Sequence, residues 1–259
     1  GVESMTRVTT GFEPMPYPYT ETENPNVYFS MGITAENVAK KYGITRKEQQ
    51  GFAISSHQKA SEAQSKGNFS DEITIVGNCS KDGNIRPNSN QEVLDGLKLA
   101  FDQNGTVTAA TSSPLTDGAA ATLICEEQYA KDNNLEILGR IVSTSVQGCA
   151  PELMGLGPIG ASIKALKRAK LSIKDMDIVE INEAFASQSL ACIKDLEIDN
   201  KRVNLDGGAL ALGHPLGATG ARITGKAAAL LKRENKKYAL ATQCIGLGMG
   251  IATIIESVN

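Results

Sequence analysis

The chain has 259 residues, with 26 basic and 29 acidic side chains and a formal net charge of −3. This length is enough for one large domain or two modest ones. Apolar residues make up 41% and charged residues 21%, a balance that is typical of globular proteins and excludes wholesale disorder. The slight negative charge argues against a nucleic-acid-binding surface and a polybasic membrane anchor. No apolar run approaches the roughly 18–20 residues that a membrane span needs.

The cysteines and the first residues bear on the cellular compartment. Five cysteines are scattered singly, without a CxxC pair, which favours a reducing compartment, and we expect a cytoplasmic location. The chain has only two histidines, His57 and His214, which are few ligands for a His/Cys zinc site, and we expect no metal. The chain opens at Gly1 without a signal- or transit-peptide pattern, and we expect that it begins inside a longer coding sequence.

The first third of the chain predicts a connector followed by two helices. Residues 5–30 are rich in Pro, Thr and Tyr, and they predict an ordered loop or an extended connector. Helices are predicted over 34–42 and 46–65, with Thr34 and Thr45 as their N-caps.

The middle of the chain is less regular. A short strand is predicted at 73–76, and a second β-rich run at 105–109. The alanine-rich run at 117–122 predicts a helix.

From Leu135 onward, predicted strands alternate with predicted helices. The strands are expected at 137–145, 178–181, 238–243 and 251–256, and the helices near 160–169, 184–196 and 221–233. This alternation indicates a layered α/β domain. The last two strands lie too close for a helix between them, so we expect them to pair antiparallel.

Two glycine motifs imitate nucleotide-binding loops. The run from Gly220 to Lys226 has the spacing of a P-loop, but Ala227 replaces the hydroxyl residue and the run lies in a helical pattern. The run from Gly246 to Gly250 joins two strands instead of opening a helix, as a dinucleotide site would. We therefore expect neither site.

Three polar residues stand near the ends of predicted elements. Asn182 follows one strand, Cys244 terminates another, and His214 lies between a glycine and a proline. Singly, Asn182 is also explained as a helix cap, Cys244 as a small buried apolar residue and His214 as a loop residue. Together they indicate acyl chemistry without a metal, because His and Cys form an acid–base pair and Asn orients a water. The backbone N–H of Gly246 is open to an acyl oxygen.

The surrounding motifs resemble those of the thiolase family across essentially the whole chain. They match the family's NEAF, GHP and CxG signatures in the family's order at residues 182–186, 207–221 and 244–246. Supporting matches lie at residues 1–5, 31–39, 105–109 and 154–158.

The resemblance implies a fold and a domain division. The expected fold is a layered αβαβα arrangement of two similar α/β halves, with the first half incomplete and a loop domain inserted. Residues 1–104 would form the end of the N-terminal half plus the loop domain. Residues 105–134 would supply the last strand and helix of that half, and residues 135–259 would form the C-terminal half.

The resemblance also implies catalytic roles. His214 would activate a nucleophilic cysteine and bind the thioester oxygen, and Cys244 would exchange a proton with the acetyl-CoA α-carbon. Asn182 would hold a water in one oxyanion hole, and the N–H of Gly246 would serve a second. The reaction would be thiolytic cleavage of a 3-ketoacyl-CoA, or the reverse condensation, in fatty-acid β-oxidation.

Coenzyme A or an acyl-CoA would be a substrate, with no covalently bound cofactor. Residues that match the CoA and pantetheine channel are Ser113, Ala109 and Phe101, and those that match its apolar wall are Met31, Met154 and Phe185. The complete protein would be a homodimer or homotetramer, with a β-oxidation multienzyme complex as a further partner.

Two departures leave alternatives open. In the family, the nucleophilic cysteine precedes the segment that residues 1–5 match, and none of the five cysteines here lies in its motif, so we expect this chain alone to be inactive. Ser30 stands where acetoacetyl-CoA thiolases usually carry His, which favours the degradative 3-ketoacyl-CoA type. The alternatives are an acetoacetyl-CoA thiolase, an acyl-CoA-binding scaffold without a nucleophile, and a partner chain that supplies the nucleophile.

Overall fold

The computed structural model describes residues 1–8 and 17–258. Strand β1 (Val2–Ser4) pairs antiparallel with β2 (Asp117–Ala119), so a separate two-stranded sheet joins residues far apart in the chain.

The prediction of a connector at 5–30 is wrong where the structure describes it. Helix α1 (Met5–Val8), helix α2 (Pro18–Glu23) and a 3₁₀ turn (Pro25–Tyr28) lie there. Pro18 and Pro25 each open a helical turn, where the fixed φ of proline is favourable and its missing N–H costs nothing. Residues 9–16 of this prediction lie outside the described residues.

The two helices predicted next are confirmed. Helix α3 (Met31–Tyr42) begins three residues earlier than expected, with Ser30 as N-cap, and ends at Gly43 in the left-handed conformation. Helix α4 (Arg46–Ser65) begins with a capping box. The Glu48 N–H donates to Thr45 Oγ1 at 3.2 Å, and the Thr45 N–H donates to Glu48 Oε2 at 2.7 Å. A short helix, α5 (Gln91–Asp95), follows.

Three local predictions in the middle of the chain are wrong. Residues 73–76 form no strand beyond a single bridge from Val76 to Cys79, and 105–109 form none beyond a bridge from Leu99 to Thr108. The predicted helix at 117–122 does not form: residues 117–119 are β2, and residues 120–122 are neither helix nor strand. Pairing of residues 117–119 with β1, and the Ala120 N–H donating to the Gly1 carbonyl, override the helix propensity of this run.

The regular alternation beyond residue 135 is confirmed. After α6 (Glu127–Asp132), the elements are β3 (Arg140–Gly148), α7 (Gly157–Ala169), β4 (Ile178–Ile181), α8 (Ala186–Asp195), α9 (Ala209–Leu212), α10 (Leu216–Arg233), β5 (Tyr238–Ile245) and β6 (Met249–Glu256). The strands form one sheet in the order β3-β6-β5-β4. β4 and β5 are parallel, and β5 and β6 are antiparallel as predicted.

Both faces of this sheet are covered by helices. Val179 and Ile181 of β4 pack with α7 and α8 in one core cluster, whereas Ile178 packs with α10 in another. Because side chains alternate along a strand, a strand covered on both faces must be apolar at successive positions. These residues therefore form three layers, helix on sheet on helix.

Helices α3 and α4 pack against the C-terminal layers. Val38 of α3 packs with Ala191 of α8, and Ala53 of α4 packs with Ala186 of α8 and Leu210 of α9. Among the described residues, no helix is both long enough and apolar enough to cross a membrane.

We expect Gly157→Ala to destabilise the fold, because Gly157 lies backbone to backbone against the start of β6. A Cβ there would meet the Met249 carbonyl and lie 2.7 Å from the Gly250 nitrogen, so main chain would have to move. Overpacking of this kind costs about 1–3 kcal/mol. The matched control is Gly51→Ala in α4, where a Cβ would meet nothing within 4 Å.

The control should stabilise the protein by up to about 1 kcal/mol, since alanine favours a helix interior over glycine. Urea unfolding of both variants measures the difference. Equal effects of the two substitutions would contradict the close approach of α7 and β6.

Candidate active site

Two of the predicted residues lie at the same edge of the sheet. Ile181, the last residue of β4, is in register with Thr242 of β5, and the Asn182 N–H donates to the Thr242 carbonyl at 2.9 Å. Cys244 lies two residues further along β5. The carboxyl ends of two adjacent parallel strands therefore carry Asn182 and Cys244, at the edge where open α/β sheets place ligands.

His214 reaches this edge from the turn between α9 and α10. Its backbone N–H donates to Thr116 Oγ1 at 3.3 Å, and its Nε2 lies 3.3 Å from Asn182 Nδ2. On the other side of the ring, Nδ1 lies 2.7 Å from Thr219 Oγ1. Gly213 precedes the histidine with φ of +95°, a conformation that glycine adopts without strain.

These contacts define the tautomer of His214. The Thr219 hydroxyl donates to the Pro215 carbonyl at 3.0 Å, so its oxygen is free to accept from the ring. Nδ1 therefore carries the hydrogen, and Nε2 presents a lone pair to the amide N–H of Asn182. This arrangement leaves Nε2 as the basic atom on the side of the site.

Burial keeps the imidazole neutral. Desolvation and, secondly, the charge of Arg222 lower the pKa of His214 to about 4. A neutral imidazole at pH 7 accepts a proton, so His214 is available as a base.

Asn182 has an acceptor with no protein partner. Its side chain is 1% exposed, and its Oδ1 has no hydrogen-bond partner among the described residues, whereas its Nδ2 contacts His214. A buried amide oxygen needs a donor, and a water bound there would supply one.

Cys244 is a buried thiol. It is 8% exposed, and burial raises its pKa to about 12. The group is therefore protonated at pH 7 and can give up a proton to a strong base formed beside it. The pKa of Cys244 is raised whereas that of His214 is lowered, so at pH 7 the thiol can act as an acid and the imidazole as a base.

Most residues predicted to line the substrate channel meet around Cys244. The cluster consists of Ala35, Val107, Met154, Ala184, Phe185 and Cys244, with Met31 packed against it. Phe101 contacts Phe185 edge to face, with 6.0 Å between the ring centroids. The Ser113 N–H donates to the Ala184 carbonyl at 3.0 Å. Ala109 is exposed at the start of a 3₁₀ turn, outside this cluster.

Gly246 leaves its side of the site open. A Cβ on Gly246 would meet nothing within 4 Å, whereas one on Gly248 would lie 2.6 Å from the Cys149 carbonyl. A ligand can therefore approach the backbone at Gly246, as the sequence predicts.

Residues with no predicted role also hold this site together. Thr219 orients the imidazole, Arg222 acts on its charge, and Glu183 is buried beside Asn182. Glu183 lies inside the NEAF motif, and Thr219 lies five residues after His214. This closeness in sequence to predicted site residues was the one signal that could have identified them.

Two sequence features prove structural. His57, one of the two histidines, is buried in α4 and accepts a hydrogen bond from the Arg86 N–H at 3.1 Å. Gly220–Lys226 lies within α10, where Lys226 forms ion pairs with Asp206 and Glu72 instead of cradling phosphate.

Comparisons with known proteins agree with this arrangement. The family model "Thiolase, N-terminal domain" matches residues 1–128, and "Thiolase, C-terminal domain" matches residues 135–257. The chain belongs to the thiolase family, and the expected fold and family are confirmed.

Named relatives point to one branch of the family. A 3-ketoacyl-CoA thiolase of Vibrio parahaemolyticus is 50% identical over 239 residues, which cover 87% of this chain and 61% of the relative. A 3-ketoacyl-CoA thiolase of Shewanella loihica is 45% identical over 99% of this chain and 70% of the relative. The chain thus spans about 61% of the length of the first of these relatives.

Solved structures of two enzymes superpose on the whole chain. Human mitochondrial 3-ketoacyl-CoA thiolase in complex with CoA superposes with a TM-score of 0.90 at 40% identity, over 100% of this chain and 70% of that chain. The Bacillus anthracis acetyl-CoA acetyltransferase gives a TM-score of 0.88 at 40% identity, over 100% of this chain and 71% of that chain. The roles of individual residues and the divisions after residues 104 and 134 stay predictions.

We expect His214 to make stability depend on pH. Its pKa is about 4 in the folded protein against 6.5 for an ordinary histidine, so the unfolded chain binds the proton more readily. The free energy of unfolding should therefore fall as the pH drops from 6.5 to 4, by roughly 3 kcal/mol from this residue.

Urea unfolding across this pH range, compared between wild type and His214→Asn, isolates the contribution. The variant should show a shallower dependence on pH. An unchanged dependence would mean that the imidazole is not held neutral by burial.

Proposed function

We propose that the whole protein is a 3-ketoacyl-CoA thiolase, an acetyl-CoA C-acyltransferase of fatty-acid β-oxidation. It would cleave a 3-ketoacyl-CoA with CoA into acetyl-CoA and a shortened acyl-CoA, or run the reverse condensation. The observation that carries this proposal is the meeting of Asn182, His214 and Cys244 at one sheet edge. Their contacts are the 3.3 Å approach of Asn182 to His214 and the apolar cluster around Cys244.

The proposed cleavage needs an acid for its leaving group. His214 Nε2 takes the proton of the nucleophilic cysteine, which in the family precedes the segment that residues 1–5 match. The resulting thiolate adds to the C3 carbonyl of the substrate. The C2–C3 bond then breaks, and its electron pair leaves on C2 as the enolate of acetyl-CoA. Cys244 donates its proton to that carbon, a role that a thiol with a pKa of about 12 fits.

The second half-reaction needs a base. CoA attacks the acyl-cysteine, and His214 accepts the proton of the CoA thiol while the cysteine leaves. Before this step, the proton that His214 took from the nucleophilic cysteine passes to Cys244, and the proton from CoA then goes to the departing cysteine, which restores the resting enzyme. Nε2 supports this role because the hydrogen bond between Nδ1 and Thr219 leaves it unprotonated, with its lone pair facing Asn182 Nδ2.

Two oxyanion sites would stabilise the charged intermediates. A water on Asn182 Oδ1 would form one, together with His214 Nε2 once that nitrogen has taken up a proton, and the buried unpartnered oxygen of Asn182 supports this site. The N–H of Gly246 would serve the other, which the open space above this glycine supports. Each donor would contribute about 3–4 kcal/mol to the transition state.

An acyl-CoA substrate is supported by the lining of the site. Phe101, Phe185, Met31 and Met154 would contact the pantetheine and acyl parts, and Ser113 and Ala109 would line the channel. The related human enzyme whose structure contains CoA supports the same substrate class.

A second candidate within the family is acetyl-CoA C-acetyltransferase. The similarity to the Bacillus anthracis enzyme favours it, whereas Ser30 and the Vibrio and Shewanella relatives favour the longer-chain type. Activity on acetoacetyl-CoA alone would select this second candidate.

We also propose a cytoplasmic homodimer or homotetramer, with a β-oxidation multienzyme complex as a further partner. Exposed apolar side chains near the β1–β2 sheet support association with further protein surface. They are Val2, Leu115, Leu123 and Ile124.

We expect the whole protein to consume 3-ketoacyl-CoA only when CoA is present and to form an equal amount of acetyl-CoA. Chromatography of the CoA esters measures both changes. Cys244→Ser should lower kcat roughly 10²–10⁴-fold, because a serine hydroxyl is a much weaker acid than a thiol. KM should change little, since the two side chains are nearly the same size.

The control for loss of a cysteine is Cys125→Ser, because Cys125 is exposed and outside the site. This variant should keep wild-type activity. Absence of cleavage in the wild type would refute the proposed function, and full activity of Cys244→Ser would refute the role of that residue.

A further inference from the structure

Glu183 joins three separate segments of the chain through one buried carboxylate. It directly follows Asn182 and is 1% exposed. Its Oε2 accepts from Ser56 Oγ of α4 at 2.6 Å and from the Leu210 N–H of α9 at 3.1 Å. Its Oε1 accepts from Asn204 Nδ2 at 2.7 Å.

The partners of Glu183 are themselves hydrogen-bonded. Ser56 Oγ accepts from the Gly208 N–H at 3.0 Å while it donates to the carboxylate. Asn204 Oδ1 accepts from the Ile181 N–H, and its Nδ2 also contacts the Ile181 carbonyl, each at 2.9 Å. A fully satisfied buried polar network holds one arrangement, because any shift leaves a donor unpaired.

Space around the network is filled as well. A Cβ on Gly208 would overlap the Glu183 carboxyl carbon and lie 2.5 Å from Asn204 Nδ2. The chain at Gly208 is therefore held against the carboxylate by contact as well as by hydrogen bonds.

This network lies between the two partners of the active-site hydrogen bond. Asn182 is the residue before Glu183, and His214 follows Leu210 by four residues. Because α9 is only four residues long, fixing Gly208 and Leu210 restricts where the turn to His214 can go.

We propose that Glu183 is a positioning residue that sets the placement of His214 relative to Asn182. Its carboxylate ties the strand end that carries Asn182, helix α4 and the segment that leads to His214 into one rigid unit. The kinetic consequence rests on the proposed function, whereas the placement of the imidazole does not.

The decisive variant is Glu183→Gln in the whole protein. An amide matches the shape of the carboxylate, but its NH₂ group can only donate. It would therefore face at least one group that donates a hydrogen bond to Glu183 in the wild type. In either orientation of the amide the network loses a hydrogen bond, with Asn204 or with Ser56 and Leu210, and the segment from Gly208 to His214 is held less tightly. A misplacement near 1 Å costs up to about 100-fold, so we expect kcat to fall roughly 10–100-fold with KM changed less than about threefold.

A second readout follows the imidazole itself. Its neighbours are Asn182, Thr116 and Thr219, which are uncharged, and Arg222 of α10, whose charge lowers its pKa. A looser turn admits water, so the pKa of His214 should rise from about 4 toward 6.5 in Glu183→Gln. NMR titration with labelled histidine, assigned with His214→Asn, measures this shift without turnover.

Two further variants make the test specific. Ser56→Ala removes one hydrogen bond to Glu183 from α4, and it should cause the same changes on a smaller scale. The matched control is Asp177→Asn, because Asp177 Oδ2 also accepts from two backbone N–H groups, those of Lys237 and Tyr238. This carboxylate lies just before β4, at the opposite edge of the sheet, so its loss should leave kcat and the pKa of His214 unchanged.

Wild-type kcat and an unshifted His214 in Glu183→Gln would overturn the proposal. Equal changes in Asp177→Asn would also overturn it, since they would trace the effect to general loss of stability. If Glu183→Gln does not fold, kcat and the pKa of His214 in Ser56→Ala test the role of Glu183 instead. If the wild type cleaves no 3-ketoacyl-CoA, the proposed function fails, and the titration still decides the role of Glu183.

Discussion

The parallel pairing of β4 with β5 is the constraint on which the site depends. Its register places Asn182 next to the end of β5, so that Asn182 and Cys244 share one edge although 61 residues of chain lie between them. The pair is stable because helices cover both of its faces, α7 and α8 on one side and α10 on the other. The turns at this edge remain available for chemistry, and α10 follows His214 directly.

Burial determines the electrostatics of this edge. It lowers the pKa of His214 to about 4 and raises that of Cys244 to about 12, so both groups are uncharged at pH 7. Desolvation disfavours the charged form of each, and for a base and an acid this acts in opposite directions. The same edge of the sheet therefore holds a proton acceptor and a proton donor, both uncharged.

The sequence predicted best where local rules and tertiary contacts agree. The N-cap at Thr45 and the strands of the C-terminal sheet agree with the prediction. The run at 117–122 was predicted wrongly, because its alanines favour a helix in isolation and its pairing with β1 does not show in local sequence. Ile73–Val76 has a strand-like composition, but only Val76 pairs, in a single bridge.

The sequence by itself determined the family resemblance and the three candidate residues, because those motifs are contiguous and depend on local requirements such as a glycine before His214. Only the tertiary structure decided which ring nitrogen of His214 is basic, how far the pKa values move, and which groups donate to the Glu183 carboxylate. Ser56 and Glu183 are 127 residues apart, and their contact exists only after α4 packs on the C-terminal layers. Burial and long-range hydrogen bonds are properties of the folded chain, and no local pattern encodes them.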